Sequence, residues 1–345
     1  MKEKQNEAKK IEAKDLRCQD RQKLEKIIPL STPYVIYIDP TNLCNFKCSF
    51  CPTGDPKLLK EVGRPHASIN LELFKKIIDD ISQFDEKLKL LSLYKDGEPL
   101  LNHELPQMIK YAKHANIAEK IWTKTNGSLL SPTLNTQLID AGLDMIHISV
   151  ESVSSDGYMN IANVKIDYDA FKANIQDFYE KRGDCKVYIK IIDCNLSMSE
   201  KERFFDDFQP IADFVSIENL MGWSYSSIKD FTLGIQSDTY DGLPLIQKKV
   251  CAYPFYVLAI NADASISLCG NDWAYETIVG NVASESLKDI WKGEKLYQFR
   301  KMMLENRRYE NKACADCYYL QIVPDNIDDY ADDILSNIEE ARCLK

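Results

Sequence analysis

Short apolar runs alternate along this chain with longer stretches whose apolar positions return every three or four residues. The short runs are "YVIYID" (34–39), "KLLSLY" (89–94), "KIWTKT" (120–125), "MIHISVES" (145–152), "KVYIKIID" (186–193) and "FVSIENL" (214–220). Their β-branched and aromatic content predicts six strands. Residues 70–84, 104–116, 131–142, 167–183 and 199–212 carry the helical period. Asn70, Ser131, Asp167 and Ser199 open four of these stretches, and Gly142 and Gly183 close two, as capping chemistry favours. Strands and helices in strict alternation imply right-handed βαβ units and a parallel sheet, either open and doubly wound or an incomplete barrel. Both architectures place their chemistry at the C-terminal ends of the strands.

Strand parity assigns the inner face, because alternate side chains point the same way. In 145–152, Ile146, Ile148 and Val150 share the face that suits covering helices, which turns His147, Ser149 and Glu151 inward. The same argument turns Ser92, Tyr94 and Asp96 inward on the second strand. It does so for Tyr188, Lys190 and Cys194 on the fifth, and for Ser216 and Glu218 on the sixth. His147 lies deeper than the others and reads as a satisfied core histidine. Beyond residue 235 the pattern changes. "YPFYVLAINADASISLC" (253–269) predicts a hairpin around "NADA", and 285–308 reads as one long helical stretch before "ACADCYY" (313–319). The expected division is a charged helical extension over 1–32, an α/β region over 33–235 and a smaller domain over 236–345.

Composition excludes several classes. A net charge of -10 argues against a nucleic-acid surface, which needs a clustered basic patch. The longest apolar stretches are strand-sized, so no membrane span is expected, and the first 26 residues are too charged for a signal peptide. The chain is therefore expected in the cytoplasm, where thiols stay reduced. Its eleven cysteines then point to metal or catalytic use rather than to a disulfide framework. Cys44, Cys48 and Cys51 fall in "CNFKCSFC" after the first strand; Cys251, Cys269, Cys314 and Cys317 form a second group. Cys18, Cys185, Cys194 and Cys343 are isolated and read as ordinary thiols.

Three close thiolates suit a zinc site with a distant fourth ligand, a redox relay or an iron–sulfur cluster, and spacing alone leaves all three open. A four-iron cluster held by three thiolates keeps one iron open for a substrate or cofactor. Phe50, just before the last cysteine, offers a flat apolar face beside a bound purine. The second group is a four-thiolate set that can close one cluster. A zinc ribbon is its alternative, although ribbons use two tight knuckles and Cys251 and Cys269 are far apart.

Cys-x3-Cys-x-aromatic-Cys at the end of a first strand resembles the radical S-adenosylmethionine (SAM) superfamily. Three further segments agree in order: "DGEPLL" (96–101), "TNGSLL" (125–130) and "ISVES" (148–152). The resemblance covers about residues 33–220 and implies an incomplete (β/α)6 TIM-like barrel. It implies a SAM-binding 4Fe-4S cluster on Cys44, Cys48 and Cys51. Gly97, Glu98 and Pro99 then form the turn that holds the methionine amino group. Ser149 and Glu151 match ribose-side positions. Asn126 contacts SAM or only caps its turn, and Lys190 neutralises the SAM carboxylate or is a salt-bridged structural lysine.

The C-terminal layout, with "VGNVASESLKDIW", resembles SPASM/twitch extensions, a small β-hairpin/α domain. The full SPASM pattern places two more cysteines where this chain has Val323 and Ile327, so the shorter twitch form is expected. It implies one auxiliary 4Fe-4S cluster on Cys251, Cys269, Cys314 and Cys317, with Cys343 as a possible substitute ligand. Ala264 stands where a glycine is usual, which bears on the hairpin turn. The resemblance implies SAM cleavage to a 5′-deoxyadenosyl radical, an electron donor such as flavodoxin or ferredoxin, and hydrogen abstraction from a substrate. The expected substrate is a small hydroxylated molecule of sugar or aminocyclitol type, oxidised from alcohol to ketone with the auxiliary cluster as electron acceptor. Glu218 or Tyr94 would take the hydroxyl proton. The alternatives are a peptide- or protein-modifying maturase, against which the roughly 32 residues before the first strand count, and an epimerase with Cys194 returning a hydrogen atom.

Overall fold

A computed structural model describes residues 22–223, 230–235, 238–239 and 244–343. Cys18, most of the expected N-terminal extension and the residues just after position 235 lie outside that description. Six parallel strands follow the predicted order: β1 (Val35–Ile38), β2 (Leu88–Ser92), β3 (Ala118–Thr125), β4 (Met145–Val150), β5 (Lys186–Asp193) and β6 (Phe214–Asn219). They neighbour one another strictly in sequence, with no reversal of strand order. A doubly wound sheet needs such a reversal, so the architecture is the incomplete barrel.

The helices between them are α1 (Pro56–Val62), α2 (Leu71–Ile81), α3 (Leu105–Ala115), α4 (Pro132–Asp140), α5 (Ser155–Ala162), α6 (Tyr168–Lys181) and α7 (Met198–Phe208). Asn70, Ser131 and Asp167 cap α2, α4 and α6 as the sequence predicts. At α7 the cap is Ser197, two residues earlier than the pattern suggested, in a reciprocal box with Glu200. The sequence pattern missed α1 and α5, which are too short to show a clear period. Ile146, Ile148 and Val150 are fully covered on the helix side of β4, within one core that includes Phe171, Ile175 and Phe178. Parity therefore holds, and the polar set faces the lumen.

The C-terminal hairpin is not a separate sheet. Its strands β7 (Val257–Ile260) and β8 (Ser265–Ser267), with β9 (Ile278–Asn281), extend the barrel sheet to nine strands. β7 runs parallel to β1, with Val35 beside Val257 and Ile38 beside Ile260. At the hairpin turn Ala264 takes φ +72°, the left-handed region that glycine fills without strain. Asp263 steadies that turn by accepting from the Ser265 backbone and hydroxyl at 3.0 and 2.6 Å. The long helical stretch breaks at Gly293 into α8 (Leu287–Lys292) and α9 (Glu294–Leu304). Two short helices, α10 (Lys312–Ala315) and α11 (Tyr319–Ile322), precede α12 (Ala331–Cys343). Leu24 and Ile28 pack with Phe255, Met303 and Ile334 in a second core. No helix among the described residues is long and apolar enough to cross a membrane.

Phe208 is fully buried against the rings of Tyr168, Phe171 and Phe204. Phe208→Ala should therefore cost about 3–5 kcal/mol in urea unfolding. Met198→Ala, at a 71 % exposed position on the same helix, should stay within about 0.5 kcal/mol. Equal effects would contradict the assignment of α7's inner face.

Candidate active site

β1 ends at Ile38, and the chain enters the loop that carries Cys44, Cys48 and Cys51. This loop is fastened by α5 and by the turn after β2. The backbone amides of Lys47 and Ser49 donate to the carbonyls of Ala162 and Ile161 at 2.9 Å each, so the loop rests on the end of α5. Phe46 meets Tyr158 of that helix edge-on, with ring centroids 6.0 Å apart. Closer to β2, the Glu98 amide donates to the Leu43 carbonyl at 2.7 Å. Gly97 makes this approach possible: a Cβ there would lie 2.0 Å from the Thr41 carbonyl oxygen and 2.5 Å from that of Leu43.

Glu98 then joins the second turn to the third. Its carboxylate accepts from Thr125 Oγ1 at 2.6 Å, the Asn126 amide at 2.7 Å and the Leu100 amide at 3.0 Å. Burial raises this carboxyl to about 7 against the pull of those hydrogen bonds. The sequence reading placed Glu98 at the ammonium of SAM; in the structure both carboxylate oxygens are engaged within the chain, and its visible work is bracing. Asn126 likewise both caps its turn, accepting from the Ser128 amide and hydroxyl, and donates to Asn45 Oδ1 in the cysteine loop at 2.9 Å. Pro99 is buried and opens the short turn after Glu98 rather than facing the lumen.

The three thiols border a cavity of about 280 Å3 together with Phe50, Tyr94, Gly97, Glu98, Asn126, Ser149, Glu151 and Lys190. Burial pushes the Cys44 thiol up to about 12 and Cys51 to about 11, and raises Cys48 as well; Cys51 further raises Cys44, and both raise Cys48. Glu151 is raised to about 7, first by burial, with Lys190 opposing. Lys190 forms an ion pair with Glu218, whose other carboxylate oxygen accepts from Tyr188 at 2.9 Å. Of the two readings of Lys190, the salt-bridged one is visible here, with Lys190 itself at the cavity wall. Cys194 lies just past β5 and does not border the cavity.

A second set of thiols gathers in the C-terminal region. Cys269 is raised by burial, then by Asp272, Cys317, Cys251 and Cys314, so the four sulfurs of the C-terminal set are mutual neighbours. Asn311 caps the turn carrying Cys314, accepting from the Ala313 and Cys314 amides, and Arg308 donates to the Cys314 carbonyl. Gly270 and Asn271, directly after Cys269, border the same cavity as Cys44, Cys48 and Cys51. The contact between the two regions was invisible in the sequence: Trp273 Nε1 donates to Thr53 Oγ1 at 2.9 Å across 220 positions. Val323 and Ile327 are buried apolar residues, and Cys343 is exposed at the last residue of α12.

Among the described residues no three His, Cys, Asp or Glu side chains meet at a single-ion point. The donor sets nonetheless fit iron–sulfur clusters. Each offers soft sulfur ligands, three in one set and four in the other, in buried surroundings that disfavour a free thiolate and favour one bound to a cation.

Comparison with known proteins agrees with this geometry. Residues 38–193 match the family model of the radical SAM superfamily, and residues 251–318 match SPASM, described as an iron–sulfur cluster-binding domain. The chain belongs to the radical SAM superfamily and carries a C-terminal SPASM-type domain. These domains imply a SAM-binding four-iron cluster and an auxiliary cluster. A Pyrococcus furiosus protein, the tungsten-containing aldehyde ferredoxin oxidoreductase cofactor-modifying protein, is 23% identical over 82% of this chain and 86% of its own length. The SAM-dependent 2-deoxy-scyllo-inosamine dehydrogenase of Niallia circulans is 20% identical over 86% of this chain and 97% of its own. The crystal structure of Streptococcus suis SuiB bound to SAM superposes with a TM-score of 0.61 at 17% identity, covering 87% of this chain and 74% of that one. This structural likeness supports the fold.

Gly97→Ala should displace the cysteine loop, because the added methyl overlaps the Thr41 carbonyl. SAM affinity should fall at least tenfold and first-site iron should be lost while far-UV circular dichroism is unchanged. Glu98→Gln, which turns an amide donor toward Thr125 or Asn126, should cost about 1–3 kcal/mol of SAM binding. Wild-type affinity in Gly97→Ala would show that this contact does not set the loop.

Proposed function

We propose that this enzyme oxidises a small hydroxylated ring compound, of sugar or aminocyclitol type, from secondary alcohol to ketone. One observation carries the reading: the loop after Cys269 and the loop of Cys44, Cys48 and Cys51 border one cavity. When loaded, the first site supplies, from SAM, a radical that removes hydrogen from a carbinol carbon, and the second supplies an acceptor for the electron left behind. The carbinol thus loses a hydrogen atom, a proton and an electron to become a carbonyl. A small electron carrier such as flavodoxin or ferredoxin would charge the first site. The whole-length relative from Niallia circulans, named as a dehydrogenase of an inosamine, supports the same direction.

The chain's own residues do the positioning. Glu98 and Gly97 hold the SAM-side turn against the cysteine loop, Phe50 covers the purine side, and Ser149 and Glu151 line the ribose side. We assign the hydroxyl proton to Glu218, a buried carboxylate that borders the lumen just below this cavity and is held by Tyr188 and by Lys190, which lines both levels. Tyr94, beside Tyr37 with ring centroids 5.9 Å apart, is better placed as a wall than as a base. An epimerase would need a hydrogen-returning thiol at the cavity, and Cys194 is off its wall.

With a carbinol-deuterated aminocyclitol or hexose, wild type should transfer deuterium into 5′-deoxyadenosine and form ketone. Glu218→Gln should keep that transfer and lower the ketone rate by about 10²–10⁴-fold. Deuterium transfer from a peptide, with none from any hydroxylated small molecule, would overturn the reading.

A further inference from the structure

The lumen does not stop at the level of Lys190. A second chamber of about 350 Å3 continues toward the N-terminal ends of the strands and shares Tyr37, Tyr94, Lys124, Lys190, Tyr253 and Tyr319 with the cavity above. Met145 borders the lower chamber and Ser149 the upper, four residues apart on β4, so together they run about 13 Å along the strand. Aromatic rings form its sides. Trp122, His147 and Tyr188 stand in a row across three strands, with centroids 5.0 and 4.9 Å apart. Across the open side of the barrel, Tyr253 stands 5.4 Å from Tyr256 and 5.5 Å from Tyr319. The floor is apolar, with Val35, Leu90, Val257 and Pro324.

The chamber wall also carries Lys124, His147, Lys190 and Glu218, and two of its polar atoms stand out. Ser92 Oγ, on a residue only 1 % exposed, and Trp122 Nε1 are both buried and have no hydrogen-bond partner among the described residues. The two residues are register partners on β2 and β3, and both border the chamber. A buried donor with no acceptor is costly, so such atoms usually mark a place a ligand or water completes. Side by side, a hydroxyl and an indole N–H present two donors to one acceptor oxygen. Both donors are neutral, and the lysines of the chamber are engaged elsewhere, Lys190 with Glu218 and Lys124 over the Tyr94 ring, so the pair suits an uncharged acceptor. The aromatic sides suit the face of a ring.

We propose that the lower chamber is a second substrate subsite, in which Ser92 and Trp122 bind an uncharged acceptor oxygen on a ring held among Tyr37, Tyr94 and Tyr188. This rests on the small-molecule reading above and extends it: the substrate has two parts, a carbinol ring beside SAM and a remote ring below it. The remote ring is either a second sugar or an aryl ether, which share the acceptor oxygen and the stacking face.

The test is equilibrium binding to the reconstituted, oxidised, SAM-loaded protein, which reads the subsite without turnover. The probes are methyl β-D-glucopyranoside, cellobiose and 4-methoxyphenyl β-D-glucopyranoside. At least one two-ring probe should bind tenfold or more tightly than the methyl glucoside, and which one does identifies the remote ring. Ser92→Ala and Trp122→Phe should each weaken that probe by up to about tenfold, the worth of one hydrogen bond, and leave the methyl glucoside within twofold; iron content checks that each variant is folded. Equal affinity for all three probes, or variants that bind the two-ring probe as wild type does, would overturn the subsite. Failure of deuterium transfer from alcohols would instead overturn the oxidation chemistry and leave this binding result standing.

Discussion

The close approach of Gly97 and Glu98 to the cysteine loop is the contact on which the site depends. Glycine lets the β2 turn press against the carbonyls of Thr41 and Leu43, and the Glu98 amide fixes that approach. The carboxylate of the same residue then holds Thr125 and Asn126. Three strand ends are thereby locked into one surface by two adjacent residues. A turn that only placed a carboxylate near a ligand would leave its oxygens open; here they join the scaffold. Bracing of these turns is thus what the Glu98 carboxylate does within the chain.

A second constraint seats the C-terminal region on the barrel. Lys95 and Arg64, both with fully buried side chains, converge on Asp96 at 2.5 and 3.4 Å. Their remaining donors reach across to the C-terminal segment: Lys95 to the Asp272 carbonyl at 3.0 Å and Arg64 to the Trp273 carbonyl at 3.2 Å. Arg64 also lies over the Trp273 ring at 4.8 Å. Buried ion pairs often contribute little net stability because desolvation opposes them, while breaking one is costly. Their effect here is geometric: they fix the segment after Cys269 against the turn that precedes Gly97. Asp39, beside them at the end of β1, has its carboxyl raised first by burial and then by the charge of Asp96.

Much of this was legible in the sequence, for identifiable reasons. The six strands follow from runs such as 186–193, which the structure reproduces residue for residue as β5. Parity put Ser149, Lys190 and Glu218 on the inner face because a strand offers only two faces. The cysteine loop was legible because its ligands are adjacent. What remained hidden depends on distant partners. α5 braces that loop through main-chain hydrogen bonds, and its eight residues carry no period strong enough to announce it. Trp273 with Thr53, and Ser92 beside Trp122, are products of packing and register, which composition does not encode locally. Lys190 was legible as inward, but its partner Glu218, 28 positions away, emerged only from the strand pairing.

The central claim is that two thiol sets, one bordering the cavity and one directly behind its Gly270–Asn271 wall, are the ligands of two iron–sulfur clusters. Iron, sulfide and zinc analysis of anaerobically reconstituted protein, compared with a variant carrying Ala at Cys44, Cys48 and Cys51, tests it most directly. About eight irons per chain are predicted for wild type and about four for the variant, with the auxiliary cluster spectrum retained and SAM cleavage abolished. Stoichiometric zinc with no iron-dependent absorbance in wild type would contradict the account.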